Sequence, residues 1–428
     1  MREEKIVPNI GYACLTVGVE GTQFKTLTLK TATPEKLEAI ITHNLNALEA
    51  IIDYNGKNGI RLFRITSDLI PLATLPANRL PWPTMFQEHF ARIGTKIRKT
   101  HQRVSMHPGQ YTVLNSPDET VVAKAIEDLD YHATVLELLG CGQTSKIILH
   151  VGGAYGDKVQ AMERFKTNYV KLSDKIKKHL VIENDDRVYT IEEVLTLGES
   201  LGIPVVYDNL HDAVNPSPER NEPVSYWVNR AKNTWKEADG RQKTHYSQQD
   251  PTKHPGAHSA TIDLDEFVRY VKNLGRTDLD FMLEVKDKNI SALKCHNAFR
   301  ADQKIIHLEN EWARYKYLVL AKSPKNYQLI RTLLNDKRSY PVEIFYRLVD
   351  EALNTPSDFG HEVNALEHIW GYFKTCATET ERRRFEKLLE EFKNTGTSLP
   401  SLKNHLYKLA QVHHEIYLLQ SYFFNEIR

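Results

Sequence analysis

Two short stretches of the sequence place a histidine at the end of an apolar run and follow it with a glycine-containing turn. Residues 105–111 read SMHPGQY, and residues 149–155 read LHVGGAY. Pro108 and Gly109 directly follow the first histidine, and Gly152 and Gly153 follow the second after one residue, which leaves each imidazole at the end of a candidate strand. His107 and His150 are therefore candidates for metal ligation or proton transfer.

Imidazole and carboxylate side chains end other apolar runs in the same way. These side chains are Glu183, Asp208, His211, His245 and Glu284, with His258 in the loop after the seventh run. Such ligands without thiolates suit zinc, manganese or iron, and the number of histidines argues against magnesium and calcium. Two or three divalent ions together bind a phosphodiester, activate water and neutralise charge on the attacking and leaving oxygens. Hydrolysis of a phosphate ester is the leading reaction class.

Each of these residues taken alone has a structural interpretation. A single histidine at a strand end is more often a hydrogen-bonded structural group, and Glu183 or Glu284 alone could form a buried salt bridge. Together they favour a metal centre, because burying so many ionisable groups without a metal would cost several kcal/mol apiece. The histidines in or beside helical segments are assigned no function: His43, His101, His132, His179, His413 and His414.

Lys243 stands two residues before His245, so on a strand the two side chains face the same way. The simpler interpretation pairs its ammonium group with a carboxylate or a phosphate. The sharper hypothesis makes Lys243 a carboxylated ligand, because an ion shared by His211 and His258 has no other obvious anionic ligand.

Eight short apolar runs, which predict the strands, alternate with amphipathic segments over the first 300 residues. The runs cover residues 9–15, 60–65, 103–109, 145–153, 180–185, 203–209, 243–248 and 279–286. Helical spacing is clearest at residues 34–59, 120–140, 191–202 and 265–275. Eight strand–helix pairs predict an α/β fold, a closed (β/α)8 TIM-type barrel, with functional side chains at the carboxyl ends of its strands. An open doubly wound sheet is the main alternative, but the glycine-rich nucleotide-binding motifs typical of such sheets are absent.

The strand pattern stops near residue 300. Amphipathic helical patterns follow at residues 340–353, 363–373, 379–393 and 401–427. We therefore predict a TIM-barrel catalytic domain over residues 1–300 and an additional α-helical C-terminal region, of unknown role, over residues 301–428. Charges nearly cancel in this region, so the arginine run at 382–384 is interpreted as a solvated helix face.

Composition is that of a soluble globular protein, with 41% hydrophobic and 26% charged residues. The formal net charge of +1 neither indicates nor excludes nucleic acid, because a basic groove can exist within a neutral total. The four cysteines are far apart and form no C-x-x-C pair, which argues against a disulfide scaffold and a zinc ribbon. The sequence contains no signal-peptide-like or membrane-spanning run, so we expect a cytoplasmic protein without a membrane partner.

Seven motifs together resemble the UV damage endonuclease family, a group related to endonuclease IV. They are GY at 11–12, SMHPGQY at 105–111, LHVGGAYGDK at 149–158, ENDD at 183–186, DNLHDAVNP at 208–216, SQQDPTKHPGAHS at 247–259 and LEVKDK at 283–288. The resemblance covers about residues 8–295, and it implies a metal-dependent DNA repair endonuclease. Such an enzyme hydrolyses the phosphodiester immediately 5′ to cyclobutane pyrimidine dimers and 6-4 photoproducts in double-stranded DNA, with some action on abasic sites.

The resemblance also implies two or three divalent ions, with manganese as the first choice and zinc or magnesium as alternatives. Carried over by motif, one ion would be held by His107, His150 and Glu183. A second would be held by Glu183, Asp208, His245 and Glu284, and a third by His211 and His258. Lys243 matches a family lysine near the third ion, and Glu183, His150 and Lys243 are the candidate catalytic residues.

Three residues are expected to contact DNA. The resemblance implies that Gln110 and Tyr111 enter the duplex at the lesion, and that Tyr12 lines the pocket for the extruded bases. A damaged step is already poorly stacked, so extrusion costs less there, and an aromatic side chain recovers about 1–3 kcal/mol of stacking.

Three alternative functions remain open at this point. An abasic-site endonuclease would prefer a missing base to a bulky dimer. A sugar isomerase or epimerase uses a similar metal-bearing barrel, but it would not need Gln110 and Tyr111. A non-catalytic protein would bind irradiated DNA without metal-dependent nicking.

Overall fold

The eight predicted strands form a closed parallel barrel in the computed structural model, which describes residues 7–218 and 222–425. They are β1 Asn9–Ala13, β2 Leu62–Ile65, β3 Arg103–Met106, β4 Lys146–His150, β5 Leu180–Glu183, β6 Val205–Asp208, β7 Lys243–Tyr246 and β8 Asp280–Leu283. Each strand pairs with the next in chain order, and β8 closes the barrel against β1. The predicted barrel fold is confirmed.

Helices follow the strands and cover the outside of the sheet. They are α1 Pro34–Asn58, α2 Trp82–Met85, α3 Gln87–Lys99, α4 Glu119–Leu138, α5 Lys158–Val170, α6 Asp174–His179, α7 Ile191–Leu201, α8 Asn209–Val214, α9 Val224–Lys232, α10 Leu264–Leu274 and α11 Asn289–Ala298. Short 3-10 helices lie at Leu29–Thr31, Ser67–Leu69 and Glu237–Asp239. The long helix α1 shows why these segments are helical: Thr33 caps its first turn, Pro34 follows, and Gly59 ends it with a φ of 74°.

The register of the strands brings the candidate ligands to one level. His150 pairs with Glu183 across β4 and β5, and Asp208 pairs with His245 across β6 and β7. All residues of β5 to β8 are buried, as expected when both faces of a parallel sheet are covered. The ligand candidates at these strands therefore meet at the carboxyl end of the barrel.

The described residues divide into two compact units. One contains residues 7–16 and 21–296, and the other contains residues 17–20 and 297–425. Among the described residues no helix is long and apolar enough to cross a membrane.

The second unit is helical. Its helices are α12 Ile306–Lys322, α13 Pro324–Leu333, α14 Val342–Leu353, α15 Phe359–Trp370, α16 Glu379–Thr395, α17 Leu399–Val412 and α18 Ile416–Leu419, with a 3-10 helix at Tyr422–Phe424. Its core contains the stacked pair Trp370 and Phe385, whose ring centroids lie 4.3 Å apart. The helical pattern predicted over residues 401–427 is interrupted, because His414 adopts a positive φ of 53° and separates α17 from α18; residues 426 and 427 lie outside the described residues.

Candidate metal centre

Seven of the eight predicted ligands assemble into three overlapping groups at the carboxyl end of the barrel. The groups are His107, His150 and Glu183; Glu183, Asp208 and His211; and Asp208, His245 and Glu284. Within each group the donor atoms lie within 4.8 Å of one another. Glu183 and Asp208 each belong to two groups, so each could contribute a ligand atom to two metal sites.

Several buried donor atoms in these groups lack a hydrogen-bond partner among the described residues. They are His150 Nδ1, Glu183 Oε1, Asp208 Oδ2 and both ring nitrogens of His245. His245 Nδ1 lies 2.5 Å from Glu183 Oε1, yet the geometry of the two atoms does not form a hydrogen bond. Buried polar atoms without partners cost free energy, so a shared cation is the simplest ligand for them. The donor set fits divalent ions that accept nitrogen as well as oxygen.

Electrostatics keep the central carboxylate ionised. Burial alone would raise the pKa of Glu183, but the imidazoles of His245, His107 and His150 hold that pKa well below its usual range. Glu183 Oε2 lies 3.2 Å from His107 Nε2 and 3.6 Å from His150 Nε2. Burial also lowers the pKa of His150, which favours the neutral imidazole that a metal requires.

Asn184 holds Asp208 and His211, two members of the second group, by hydrogen bonds. The side chain of Asp208 caps α8, because its Oδ1 accepts hydrogen bonds from the backbone N–H groups of Leu210 and His211, both at 2.8 Å. Asn184 Oδ1 accepts from the Asp208 backbone N–H at 2.9 Å, and the Asn184 carbonyl accepts from His211 Nδ1 at 2.9 Å. These bonds leave His211 Nε2 and Asp208 Oδ2 for a ligand.

The histidine of the SMHPGQY motif is held through its backbone. Ser67 Oγ donates to the His107 carbonyl at 2.7 Å, and His132 Nε2 lies 2.9 Å from Ser67 Oγ. His132 Nδ1 in turn donates to the Asp128 carbonyl at 2.6 Å. His132 is fully buried and has a supporting position that the sequence did not suggest.

Arg64 is a further member of the site that sequence reasoning missed. It lies on β2, and its guanidinium donates to the Glu284 carboxylate. Burial would lower the pKa of Arg64, but Glu284, Cys14 and Glu183 together raise it, so the side chain stays charged. An arginine inside the apolar run at 60–65 was the available signal, because a buried charge requires a partner.

Lys243 and His258 do not join these groups. Lys243 is fully buried at the start of β7, opposite Asp280, and its Nζ has no hydrogen-bond partner in the part of the chain that the structure describes. Burial and Arg103 hold its pKa well below the usual range. His258 is half-buried and pairs with Gln249 in an isolated bridge, and it belongs to none of the three groups found among the described residues. The third ion held by His211 and His258, and the position of Lys243 near it, stay predictions.

The loop after His107 presents the two predicted DNA probes. Gln110 is exposed, and 74% of the Tyr111 surface is accessible. Gly109 permits this arrangement, because a Cβ there would lie 2.5 Å from the Tyr111 ring. Thr112 fastens the end of the loop by donating to Asp128 Oδ2 at 2.6 Å.

Tyr12 is the third residue predicted to contact DNA. Its side chain is fully buried, and its hydroxyl donates to Asn55 Oδ1 on α1 at 2.8 Å. The ring packs edge-on against Phe63, with centroids 5.1 Å apart. Alternation along β1 points Tyr12 towards the helices, and its predicted contact with DNA stays a prediction.

Comparison with known proteins identifies the family of the chain. The model of the UV-endonuclease UvdE family matches residues 8–316, and the model of a family of unknown function, DUF1722, matches residues 316–427. The UV DNA damage endonuclease of Clostridium perfringens is 39% identical over 388 residues, covering 89% of this chain and 92% of that protein. The corresponding protein of Bacillus velezensis is 35% identical over 279 residues, covering 63% of this chain and 87% of its own.

A solved structure gives the same result. The crystal structure of SacUVDE is similar with a TM-score of 0.64 and 38% sequence identity, covering 67% of this chain and 96% of that one. The family match spans the whole barrel and all three groups of candidate ligands. The chain therefore belongs to the UV-endonuclease UvdE family.

Proposed function

We propose that this chain is a metal-dependent DNA repair endonuclease that hydrolyses the phosphodiester immediately 5′ to UV photoproducts in double-stranded DNA. The observation that carries the proposal is the convergence of buried, partnerless imidazole and carboxylate atoms at the carboxyl end of the barrel. The relatives named UV DNA damage endonuclease support the substrate.

The proposed cofactor is a group of two or three divalent ions. The mixed imidazole and carboxylate donors suit zinc as well as manganese, and manganese is preferred over zinc or magnesium because the family resemblance implies it. The three groups of ligands defined above would hold them. Bound ions would supply Lewis acidity towards a phosphodiester and lower the pKa of water. The protein side chains position these ions, and His107 links the metal centre directly to the exposed probes Gln110 and Tyr111.

Removal of Glu183 tests the metal centre and the reaction together. We expect the purified protein with manganese to nick a duplex immediately 5′ to a single pyrimidine dimer, and to stop when a chelator is added. Glu183→Ala should lower the incision rate by more than about 100-fold, because it removes a ligand common to two groups. Glu127→Ala, an exposed carboxylate on α4, is the matched control and should nick normally.

The same assay separates the alternatives. Cutting at an abasic site but never at a dimer would favour a dedicated abasic-site endonuclease. Substantial turnover in Glu183→Ala would count against the whole assignment, and absence of any cutting would redirect attention to phosphorylated or sugar substrates.

Gln110 and Tyr111 are expected to recognise the lesion without holding metal. The double variant Gln110→Ala with Tyr111→Ala should weaken binding to a dimer-containing duplex by about 10-fold or more, since one stacked ring contributes about 1–3 kcal/mol. Its manganese content should stay near that of the unmodified protein. Tyr226→Ala removes another exposed tyrosine, on α9, and should change neither quantity. Loss of metal in the double variant would show that the two residues support the site instead.

Metal binding should become tighter as the pH rises from 7 to 9. Burial opposes the charged form of His211, but Asp208, Glu183 and Glu284 raise its pKa to about 9. The metal-free protein therefore carries an imidazolium at neutral pH, and an ion that binds His211 must displace its proton. The apparent manganese affinity should rise by up to about tenfold per pH unit. Calorimetry in buffers of different ionisation enthalpy measures the released proton, and His211→Gln should release about one fewer. Equal release from both proteins would exclude His211 as a ligand.

Lys243 is proposed to carry a carboxylated amine. Its low pKa provides a neutral amine, which can add to carbon dioxide to form a carbamate with loss of one proton. Arg103 and Arg64 would stabilise that anion, and Asp280, opposite Lys243, would oppose it. Native mass spectrometry near neutral pH should show the added mass in the metal-loaded protein and in Lys286→Met, but not in Lys243→Met. An unmodified amine in the metal-loaded protein would refute the proposal.

A further inference from the structure

The helical unit contains a strongly basic segment in a chain of nearly neutral total charge. Residues 312–335 include five basic side chains and no acidic one: Arg314, Lys316, Lys322, Lys325 and Arg331. The segment covers most of α12 and all of α13. A local excess of positive charge is the usual electrostatic mark of a nucleic-acid contact.

Aromatic rings surround two of these cations. We call the resulting group the aromatic-basic cluster, and its members are Trp312, Lys316, Tyr327, Arg331, Tyr372 and Tyr417. The rings of Tyr372 and Tyr417 stack with centroids 6.0 Å apart, and those of Trp312 and Tyr327 lie 5.4 Å apart. Arg331 is exposed, and the other five members are half-buried. The cluster is therefore partly accessible from solvent.

The two cations lie over rings instead of beside carboxylates. Lys316 Nζ is 5.9 Å from the centroid of Tyr417, and the Arg331 guanidinium is 5.7 Å from that of Tyr327. Within residues 7–218 and 222–425 neither forms a salt bridge. Arg314, in the same segment, differs because it pairs with Glu311 at 2.7 Å.

Packing explains only part of this arrangement. Tyr327, Tyr372 and Tyr417 border the core of the helical unit, which accounts for their apolar edges. It does not account for two cations gathered there without an acidic partner. Burial and the charge of Arg331 lower the pKa of Lys316, so the two positive groups repel each other, and an anionic ligand would relieve that repulsion.

Hydroxyl groups add polar contacts at the same surface. Tyr317 donates its hydroxyl proton to the Tyr372 hydroxyl at 2.9 Å, which leaves the Tyr372 proton for another acceptor. Phosphate oxygens and base edges are both suitable acceptors. Rings, cations and hydroxyl donors therefore occur together on one surface.

We propose that the aromatic-basic cluster binds single-stranded DNA, with bases stacked on its rings and phosphates paired with Lys316 and Arg331. Stacking requires bases whose faces are free, a condition that a single strand meets and an intact duplex does not. A free phosphate or an acidic peptide would use the cations but leave the rings without a role. This binding is independent of the incision proposed for the barrel.

The test is fluorescence anisotropy of the full-length chain with a labelled, undamaged oligothymidylate of about 12 nucleotides, in chelator and at several salt concentrations. The double variant Lys316→Gln with Arg331→Gln should bind at least about tenfold more weakly. Its slope of log affinity against log salt should fall by about 1.4, because each phosphate contact on a single strand contributes about 0.7. The matched control, Arg384→Gln with Lys387→Gln, removes two exposed cations from α16 and should keep the original affinity and slope.

Photochemical crosslinking provides a second measurement that needs no charge variant. An oligonucleotide containing 5-bromodeoxyuridine should crosslink to peptides containing Tyr372 or Tyr417, and Tyr417→Leu should reduce the yield severalfold. Crosslinks confined to residues 7–296, equal binding by the two double variants, or no binding by the unmodified chain at low salt would overturn the proposal.

Incision of a dimer-containing duplex, measured on the same variants, separates the two proposals. We expect Lys316→Gln with Arg331→Gln to lose single-strand binding and to keep incision. A chain that binds the oligonucleotide through the cluster but never nicks would leave the cluster proposal intact and refute the proposed function of the barrel.

Discussion

The Glu183 carboxylate is fully buried at the end of β5, within 3.6 Å of nitrogen atoms of His107, His150 and His245. A buried carboxylate stays ionised only when positive charge or hydrogen-bond donors lie close to it. That requirement constrains the barrel, because the three histidines come from β4, β7 and the loop after β3. The ionised state of Glu183 therefore depends on the strand register and on the closure of the sheet, because these bring the three histidines to it.

Residues outside the ligand groups carry out much of the positioning. Asn184 bonds to the backbone of Asp208 and to the ring of His211, and Ser67 bonds to the backbone of His107. Each bond holds the backbone or the outer ring nitrogen of a candidate ligand. The metal-binding atom of that side chain therefore faces the centre of the barrel. Arg64 acts differently, because it balances the charge of Glu284 directly. Exchange of that contact for a metal ion would replace one cationic partner by another, which keeps Glu284 ionised throughout.

The eight strands and the convergence of seven ionisable side chains could be predicted because their signal is local: a short apolar run followed by an ionisable side chain. The burial of Tyr12 was not predicted, because the face of a strand that turns inward depends on pairing with both neighbours. The break between α17 and α18 at His414 depends on a positive φ, which a hydrophobic periodicity does not predict. Arg64 and His132 were missed for a related reason, since their partners lie far away in the sequence.

The formal net charge of +1 does not describe the local charge that DNA would encounter at the rim of the barrel. Glu183, Asp208 and Glu284 contribute negative charge, but all three turn inward to the candidate metal centre. Two or three divalent ions bound there would add about +4 to +6, and bound ions are often the largest local charges in a site. Metal binding would therefore change the barrel from nearly neutral to clearly positive at the rim where Tyr111 is exposed. By this argument the ions that serve the reaction also attract its substrate, and removing them should weaken DNA binding as well as incision.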